Sequence, residues 1–408
     1  MKWKSVISDS DSLKKINQIL NHVNYNLEQP KVSTTHLNDL MYGGLGKAIF
    51  LAYKYRLTPE ESTINACTQL IEKSIEESLE DQPILNFGTG ILGNIWGIGH
   101  LIEIGILDST IAEIVDDDLL NEMLLHSKKQ VDAGNYDYLL GGLGIVLLIQ
   151  QVGVEKHSLY LKELIGALES ISSWDQSRET CFWYQSSSIS NPGNRLEIIN
   201  MGIAHGLPSI ILILNQLYLK GIEKNRIKRL IESCASWMLS KKSNIKVKES
   251  FYPYSFDSSG EFHPSGLRWC YGDLGIATSF YLTGISLQNE QLINFGLEIA
   301  EHCAKRSFHE KIKESHLCHG TAGVAHLFNR FYNYTNNQTF RIAAIHWFDQ
   351  TIENFDPKLN TGFLGWKGTD NGWVEFDGLL EGSAGVGLAL ISAISNIEPK
   401  WDRCLLLS

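Results

Sequence analysis

The sequence predicts an all-α fold, an α/α toroid of seven helical hairpins forming one domain over residues 1–408. Three observations lead there. A Gly-x-x-Gly step followed by an apolar run recurs seven times, the spacing of the steps leaves room for two helices each, and the stretches between them are amphipathic with helical period. The copies are "YGGLGKAIFLAY", "GILGNIWGIGHL", "GGLGIVLLIQQV", "HGLPSIILILNQ" (Ser209 replacing the second glycine), "YGDLGIATSFYL", "HGTAGVAHLFNR" and "EGSAGVGLALIS". Their first glycines stand at 43, 90, 141, 206, 272, 320 and 382, spaced by 47 to 66 residues.

The runs after the glycines, such as Ile145–Ile149 and Ile210–Leu214, are apolar on every side and mark inner helices. "SDSLKKINQILNHVNYNLEQ", "IEKSIEESLED" and "RIKRLIESCASWMLSKK" carry one apolar stripe and a charged face, as outer helices do. Inner helices that all run the same way close into a ring. Glycine at the helix starts lets them crowd, because only glycine lacks a Cβ. The intervals 174–200, 243–268 and 353–378 read as long loops rather than an inserted domain.

Composition excludes several classes of function. The chain has 43% hydrophobic and 20% charged residues and a formal charge of -11, without a Lys/Arg cluster, so neither a nucleic-acid groove nor an anionic membrane surface is expected as a partner. No apolar run reaches the roughly 18 residues that span a bilayer, and "MKWKSVISDSDSLKKI" breaks before a signal-type apolar core forms. The expected location is cytoplasmic. The seven cysteines are scattered, at 67, 181, 234, 270, 303, 318 and 404, which predicts reduced thiols. Cys67, Cys234 and Cys303 fall in helical patterns and read as small buried hydrophobes. "GGLGKA" at 43–48 lacks the spacing and the Ser/Thr of a phosphate loop.

If the inner helices are parallel, the residues before each first glycine meet at one mouth. Two positions before it the copies read Met41, Gly88, Leu139, Ala204, Cys270, Cys318 and Leu380; one position before, Tyr42, Thr89, Leu140, His205, Tyr271, His319 and Glu381. Cys270, Cys318 and His319 therefore converge although distant in sequence. Two thiolates and an imidazole are a soft set suited to Zn²⁺, and three protein ligands leave a fourth position open, as in catalytic zinc sites. A packing role for these cysteines at crowded helix starts is the competing explanation. His316 lies off the repeat frame and is expected at the rim rather than on the metal.

"NMGIAHGLP", "WCYGDLG" and "LCHGTAG", with the seven glycine steps and the closing "WDRCLLLS", resemble the lanthionine synthetase C (lantibiotic cyclase) family over essentially the whole chain. The resemblance implies a single zinc held by Cys270, Cys318 and His319, and addition of peptide cysteine thiols to dehydroalanine or dehydrobutyrine to form thioether rings. It places an acid/base histidine at His205, an aspartate at Asp137 and an active-site tyrosine at Tyr271. It also implies a dehydrated precursor peptide with a leader as substrate, with a lanthipeptide dehydratase and a transporter as partners and membrane association only through them. One departure concerns the arginine four residues before the first zinc cysteine: Gly266 stands there, and Arg268, two residues before Cys270, is the candidate replacement.

In this setting His205 is suited to proton transfer near neutral pH, Asp137 to orienting it, to shuttling protons itself or to capping a helix, and Tyr271 to donating to a developing oxyanion or to wedging between helices. Asp273, at the start of its helix, reads as a charge offsetting the helix dipole. Two other functions remain open: a zinc thiol transferase adding glutathione or another small thiol to dehydroamino acids, and a non-catalytic scaffold presenting a leader peptide to a dehydratase.

Overall fold

The computed structural model describes residues 2–29, 39–80, 84–108, 117–177, 179–185, 197–243 and 249–408. Helices dominate, and they come in pairs. The first three pairs are α1 (Ser10–Glu28) with α2 (Gly44–Leu57), α3 (Glu61–Glu80) with α4 (Ile91–Glu103), and α5 (Asp117–Asp132) with α6 (Ile145–Val152). Next come α7 (Ser158–Ser170) with α8 (Leu207–Leu219), α9 (Lys224–Ser240) with α10 (Asp273–Leu287), α11 (Glu290–Arg306) with α12 (Thr321–Thr335), and α13 (Gln338–Glu353) with α14 (Ser383–Ile394). Each even-numbered helix follows one glycine step, in the order expected. α2, α10, α12 and α14 are buried almost from end to end, whereas α1, α9 and α11 bury a single stripe.

Local chemistry sets the helix starts. Asp9 caps α1 through its carboxylate to Ser12 N (2.9 Å), and Asn337 caps α13 through its side chain to Thr339 N (2.9 Å). Gly43, Gly90, Gly206, Gly272, Gly320 and Gly382 are the N-caps of their inner helices and have no side chain with which to cap. The third repeat differs. Its helix begins at Ile145, after the second glycine of the step, because the residues from Tyr138 to Gly144 form turns.

The long loops carry short antiparallel pairs. β1 (Ser173–Trp174) pairs with β2 (Cys181–Phe182), β3 (Ile199–Asn200) with β4 (Ser255–Phe256), and β5 (Leu364–Trp366) with β6 (Trp373–Glu375). Parts of the first two loops, 186–196 and 244–248, lie outside the described residues.

The chain divides into two compact units, one of Met1–Ile84, Thr89–Ala112 and Ser307–Asp402, the other of Leu85–Gly88, Glu113–Arg306 and Arg403–Ser408. In the first unit the inner helices α12, α14, α2 and α4 pack in succession, so the last inner helix of the chain lies beside the first, with α13, α1 and α3 against them. In the second, α6, α8 and α10 pack in succession, backed by α5, α9 and α11, with α7 on α5.

The glycine steps shape the turns before the inner helices. A Cβ on Gly46, Gly144, Gly323 or Gly385 would overlap the carbonyl oxygen of Leu40, Tyr138, Leu317 or Leu379, and one on Gly275 would lie 3.0 Å from the Trp269 oxygen. In every case the partner is the residue six positions earlier. The turn thus folds back across the first helical turn, a close approach that only glycine allows. The space left by the missing Cβ is taken by a side chain from a neighbouring repeat: a Cβ on Gly46, Gly144, Gly275 or Gly385 would come within 2.7 Å of Leu379, 2.5 Å of Phe87, 2.9 Å of Ile203 or 2.8 Å of Leu317.

Main-chain hydrogen bonds then join one turn to the next. Cys318 N donates to Leu380 O (3.1 Å) and Leu380 N to Met41 O (2.8 Å) in the first unit; Gly88 N donates to Leu139 O (2.7 Å) and Ala204 N to Cys270 O (3.4 Å) in the second. All these residues stand two positions before a first glycine, so the register read from the sequence is a physical one within each unit.

The first unit also holds a buried ionic cluster. The Asp402 carboxylate accepts from Arg330 Nε (2.6 Å) and Nη2 (2.7 Å) and pairs with His326 Nε2 (2.7 Å); Trp401 stacks on His326 at 4.8 Å and Arg330 covers the Trp3 ring at 4.8 Å. Burial alone would raise the Asp402 carboxyl, but Arg330 and His326 outweigh it and hold it at about 2. That contribution to stability is complete above the ordinary carboxylate value and is lost as pH falls through about 2. Asp402→Asn leaves Arg330 buried without its counter-charge and is expected to cost roughly 3–5 kcal/mol of stability. Chemical denaturation checks this, and a loss under about 1 kcal/mol would contradict a paired buried charge.

Candidate active site

In the second unit the turns before α6, α8 and α10 bring three of the expected residues together. Asp137 uses its two oxygens differently. Oδ1 accepts from Leu139 N (2.8 Å) and Leu140 N (3.0 Å), closing the turn before α6, while Oδ2 lies 2.5 Å from His205 Nδ1. One carboxylate thus closes the turn and meets His205, but it does not cap a helix as the sequence suggested, because α6 starts only at Ile145 with Gly144 as its N-cap. With Nδ1 given to Asp137, the His205 imidazole presents Nε2 as its other titrating nitrogen. Burial lowers the His205 pKa, but the Asp137 hydrogen bond and charge, with Cys270, outweigh it and the net shift is upward.

Tyr271 lies beside this pair, its ring 5.9 Å from that of His205. The ring also packs over Gly202, where a Cβ would come 2.7 Å from Tyr271 Cδ1 and would overlap the Cys270 carbonyl oxygen. Wedge and donor are therefore compatible roles. Asn200, which the sequence reading did not single out, donates from Nδ2 to the Tyr271 hydroxyl (3.4 Å) and to Gln185 Oε1 (3.2 Å), and its Oδ1 accepts from Gly202 N (2.8 Å). Asn200 and Gln185 line a cavity of about 530 Å³ with Tyr254, Gly266, Arg268 and Tyr271. Gly266 explains the path of Arg268: a Cβ at 266 would lie 2.8 Å from Arg268 Nε, so the Arg268 side chain fills the space beside that glycine and lines the cavity.

Cys270 is buried in the turn before α10. In the first unit Cys318 and His319 occupy the turn before α12, with the Cys318 sulfur and a ring nitrogen of His319 within 4.8 Å of each other. His319 Nε2 pairs with Glu314 Oε2 at 2.8 Å, while Glu381, from the equivalent slot of the next repeat, lies 3.9 Å from Nδ1. Glu314 escaped the sequence reading because no repeat position marks it. His316 is not at the rim as expected. It is buried, edge-on to Phe376 and against Gly365, because the β5–β6 hairpin covers it, and burial followed by the charge of His319 lowers its pKa.

None of the seven cysteines forms a disulfide, and all are buried. Burial pushes the Cys67 thiol up to about 12, in keeping with a packing role. Asp273 is structural: fully buried, it accepts from Phe251 N (2.7 Å) and Tyr252 N (3.2 Å). Arg306 lies 3.8 Å away, and its guanidinium would repel a cation at the neighbouring Asp273, His302 and Cys303 group. Among the described residues, no helix is long and apolar enough to cross a membrane.

The sequence profile of the family described as lanthionine synthetase C-like protein matches residues 34–406. The chain belongs to that family. Among curated relatives, the nisin biosynthesis protein NisC of Lactococcus lactis subsp. lactis is 21% identical over 243 residues, covering 56% of this chain and 58% of that protein. The chain thus matches somewhat over half the length of that relative. A solved structure of nisin cyclase superposes with a TM-score of 0.74 at 18% identity, covering 98% of each chain. This likeness establishes the fold of this lanthionine synthetase C-like protein as the α/α toroid predicted from the repeats.

The Asp137–His205 pair is open to a direct test. His205 should titrate above the ordinary histidine value of 6.5, and Asp137→Asn should bring it down by removing the charge that favours imidazolium. Proton NMR of the His205 ring measures both, and an unchanged titration in the variant would refute the coupling.

Proposed function

We propose that this protein is a zinc-dependent lanthionine synthetase that adds cysteine thiols of a dehydrated precursor peptide to its dehydroalanine or dehydrobutyrine residues. The observation that carries the reading is the Asp137–His205 pair beside Tyr271 and Cys270, at the helix starts of a chain belonging to the lanthionine synthetase C-like family. The donor set suits the metal: Cys270, Cys318 and His319 offer two thiols outside any disulfide and an imidazole already oriented by a carboxylate. Zinc, when bound, supplies Lewis acidity that releases the proton of a substrate thiol near neutral pH.

The remaining steps belong to the chain's own residues. A carbon–sulfur bond forms at the β-carbon as the thiol proton passes to solvent, from which His205 is later reprotonated, and the alkene electrons move onto the neighbouring carbonyl as an enolate. In this reading Tyr271 and Arg268 stabilise that oxygen, supported by the Asn200 hydrogen bond to the Tyr271 hydroxyl and by the cavity both residues line. His205 returns a proton to the α-carbon, and Asp137 keeps its imidazole oriented and charged until then. Thiol and alkene are consumed together, so the product has the mass of the substrate. In this reading the whole chain acts as one catalytic domain in the cytoplasm, on peptide delivered by a dehydratase and passed to a transporter.

Metal and proton roles should separate on mutation. Wild-type protein is expected to hold one zinc, and Cys270→Ala, Cys318→Ala and His319→Ala to lose it while keeping their helix content by circular dichroism. His205→Ala should retain zinc but cyclise about 10²- to 10⁴-fold more slowly, the usual contribution of a positioned acid. The rate should fall as pH rises through the raised His205 pKa, and Asp137→Asn should move that limb to lower pH. Full zinc occupancy in the cysteine variants would refute the ligand assignment. Efficient addition of glutathione, with the peptide's own cysteines still open to alkylation, would favour the small-thiol activity.

A further inference from the structure

We infer that Glu314 is the positioning carboxylate of the metal centre, fixing which nitrogen of His319 faces the metal; this rests on the zinc reading above. Glu314 precedes the turn that carries Cys318 and His319 and is itself anchored, since Thr321 N donates to its carbonyl oxygen at 2.9 Å. Its carboxylate bridges two partners. Oε2 lies 2.8 Å from His319 Nε2, and Oε1 accepts from Trp366 N at 2.6 Å.

A carboxylate accepts only, so Nε2 must carry the proton in this bond and the lone pair of the neutral ring stands on Nδ1. Nδ1 is therefore the nitrogen available to a metal. A carboxylate on the far side of a ligating imidazole also raises its basicity, and losing such a partner typically weakens metal binding by about 10- to 100-fold.

The bridge has a further consequence. Trp366 belongs to β5, whose hairpin partner β6 includes Trp373, and the two indoles meet at 5.7 Å with large exposed faces. Glu314 thus ties the metal ligand to this hairpin through a main-chain N–H, independent of which side chain stands at 366.

Glu314→Gln separates orienting the histidine from pinning the hairpin, because the amide keeps one acceptor where the carboxylate has two. The carbonyl can hold Trp366 N–H, but the NH₂ group then confronts His319 Nε2. Zinc retention is measured by chelator competition, and the His319 tautomer by ¹⁵N NMR of the zinc-loaded protein. Wild type is expected to show a protonated Nε2 with metal on Nδ1, and Glu314→Gln to lose zinc about 10- to 100-fold more readily. Zinc affinity within twofold of wild type in the variant would overturn the inference while leaving the three ligands in place. Metal on Nε2 in the wild-type protein would overturn it whether or not the variant folds. Wild-type protein that binds no zinc would remove the zinc reading and this inference together.

Discussion

The structure depends on a missing Cβ. At Gly46, Gly144, Gly323 and Gly385 the start of an inner helix is crossed by the carbonyl of the residue six positions before it, at a separation that no other side chain permits, and at Gly275 the equivalent carbonyl would lie a tight 3.0 Å from a Cβ. Once the turn is pressed against its own helix, the residues one and two positions before the first glycine have little freedom. Their main chains bond to the equivalent turns of neighbouring repeats, from Cys318 to Leu380 to Met41 and from Ala204 to Cys270. An apolar side chain from one turn then fills the space over the glycine of the next, so each turn is held by its own helix and by its neighbour. Chemistry placed in those two slots is rigid without any dedicated scaffold.

The two slots divide the work. Position minus two supplies sulfur, at Cys270 and Cys318, and position minus one supplies rings, at His205, Tyr271 and His319. His205 and His319 share a slot and differ in what lies behind them. Asp137 holds His205 through Nδ1, whereas Glu314 holds His319 through Nε2. The opposite nitrogen is left over in each case, and under the proposed function one ring moves a proton while the other holds the metal. A carboxylate behind each imidazole, from a different direction, is enough to give equivalent positions different chemistry.

Much of this was legible in the sequence because it is periodic. Repeated glycines mark helix starts, all-apolar runs mark the buried helices, and a shared frame places Cys270, Cys318, His319 and His205 in equivalent slots. What escaped lies off the frame. Glu314 reaches His319 from a loop of no fixed period, Asn200 reaches Tyr271 from β3, and His316 is covered by a hairpin that a loop-like composition did not announce. Arg268 sits between the two groups. Its place two residues before Cys270 is visible in the sequence, but that Gly266 leaves the space its side chain fills requires coordinates. The glycines were expected to let helices crowd one another; they do so through the turns, which carry the neighbouring contacts.

The account therefore turns on whether the second glycines hold the ligand turns in place. Zinc dissociation rates in Gly275→Ala, Gly323→Ala and Gly144→Ala test this directly, since all three place a Cβ against the crossing carbonyl but only the first two lie under turns that carry the proposed metal ligands. Comparable losses of stability are expected in all three, of roughly 1–3 kcal/mol from overpacking, with faster zinc loss confined to Gly275→Ala and Gly323→Ala. Zinc loss equally fast in Gly144→Ala, or unchanged in the other two at reduced stability, would contradict it.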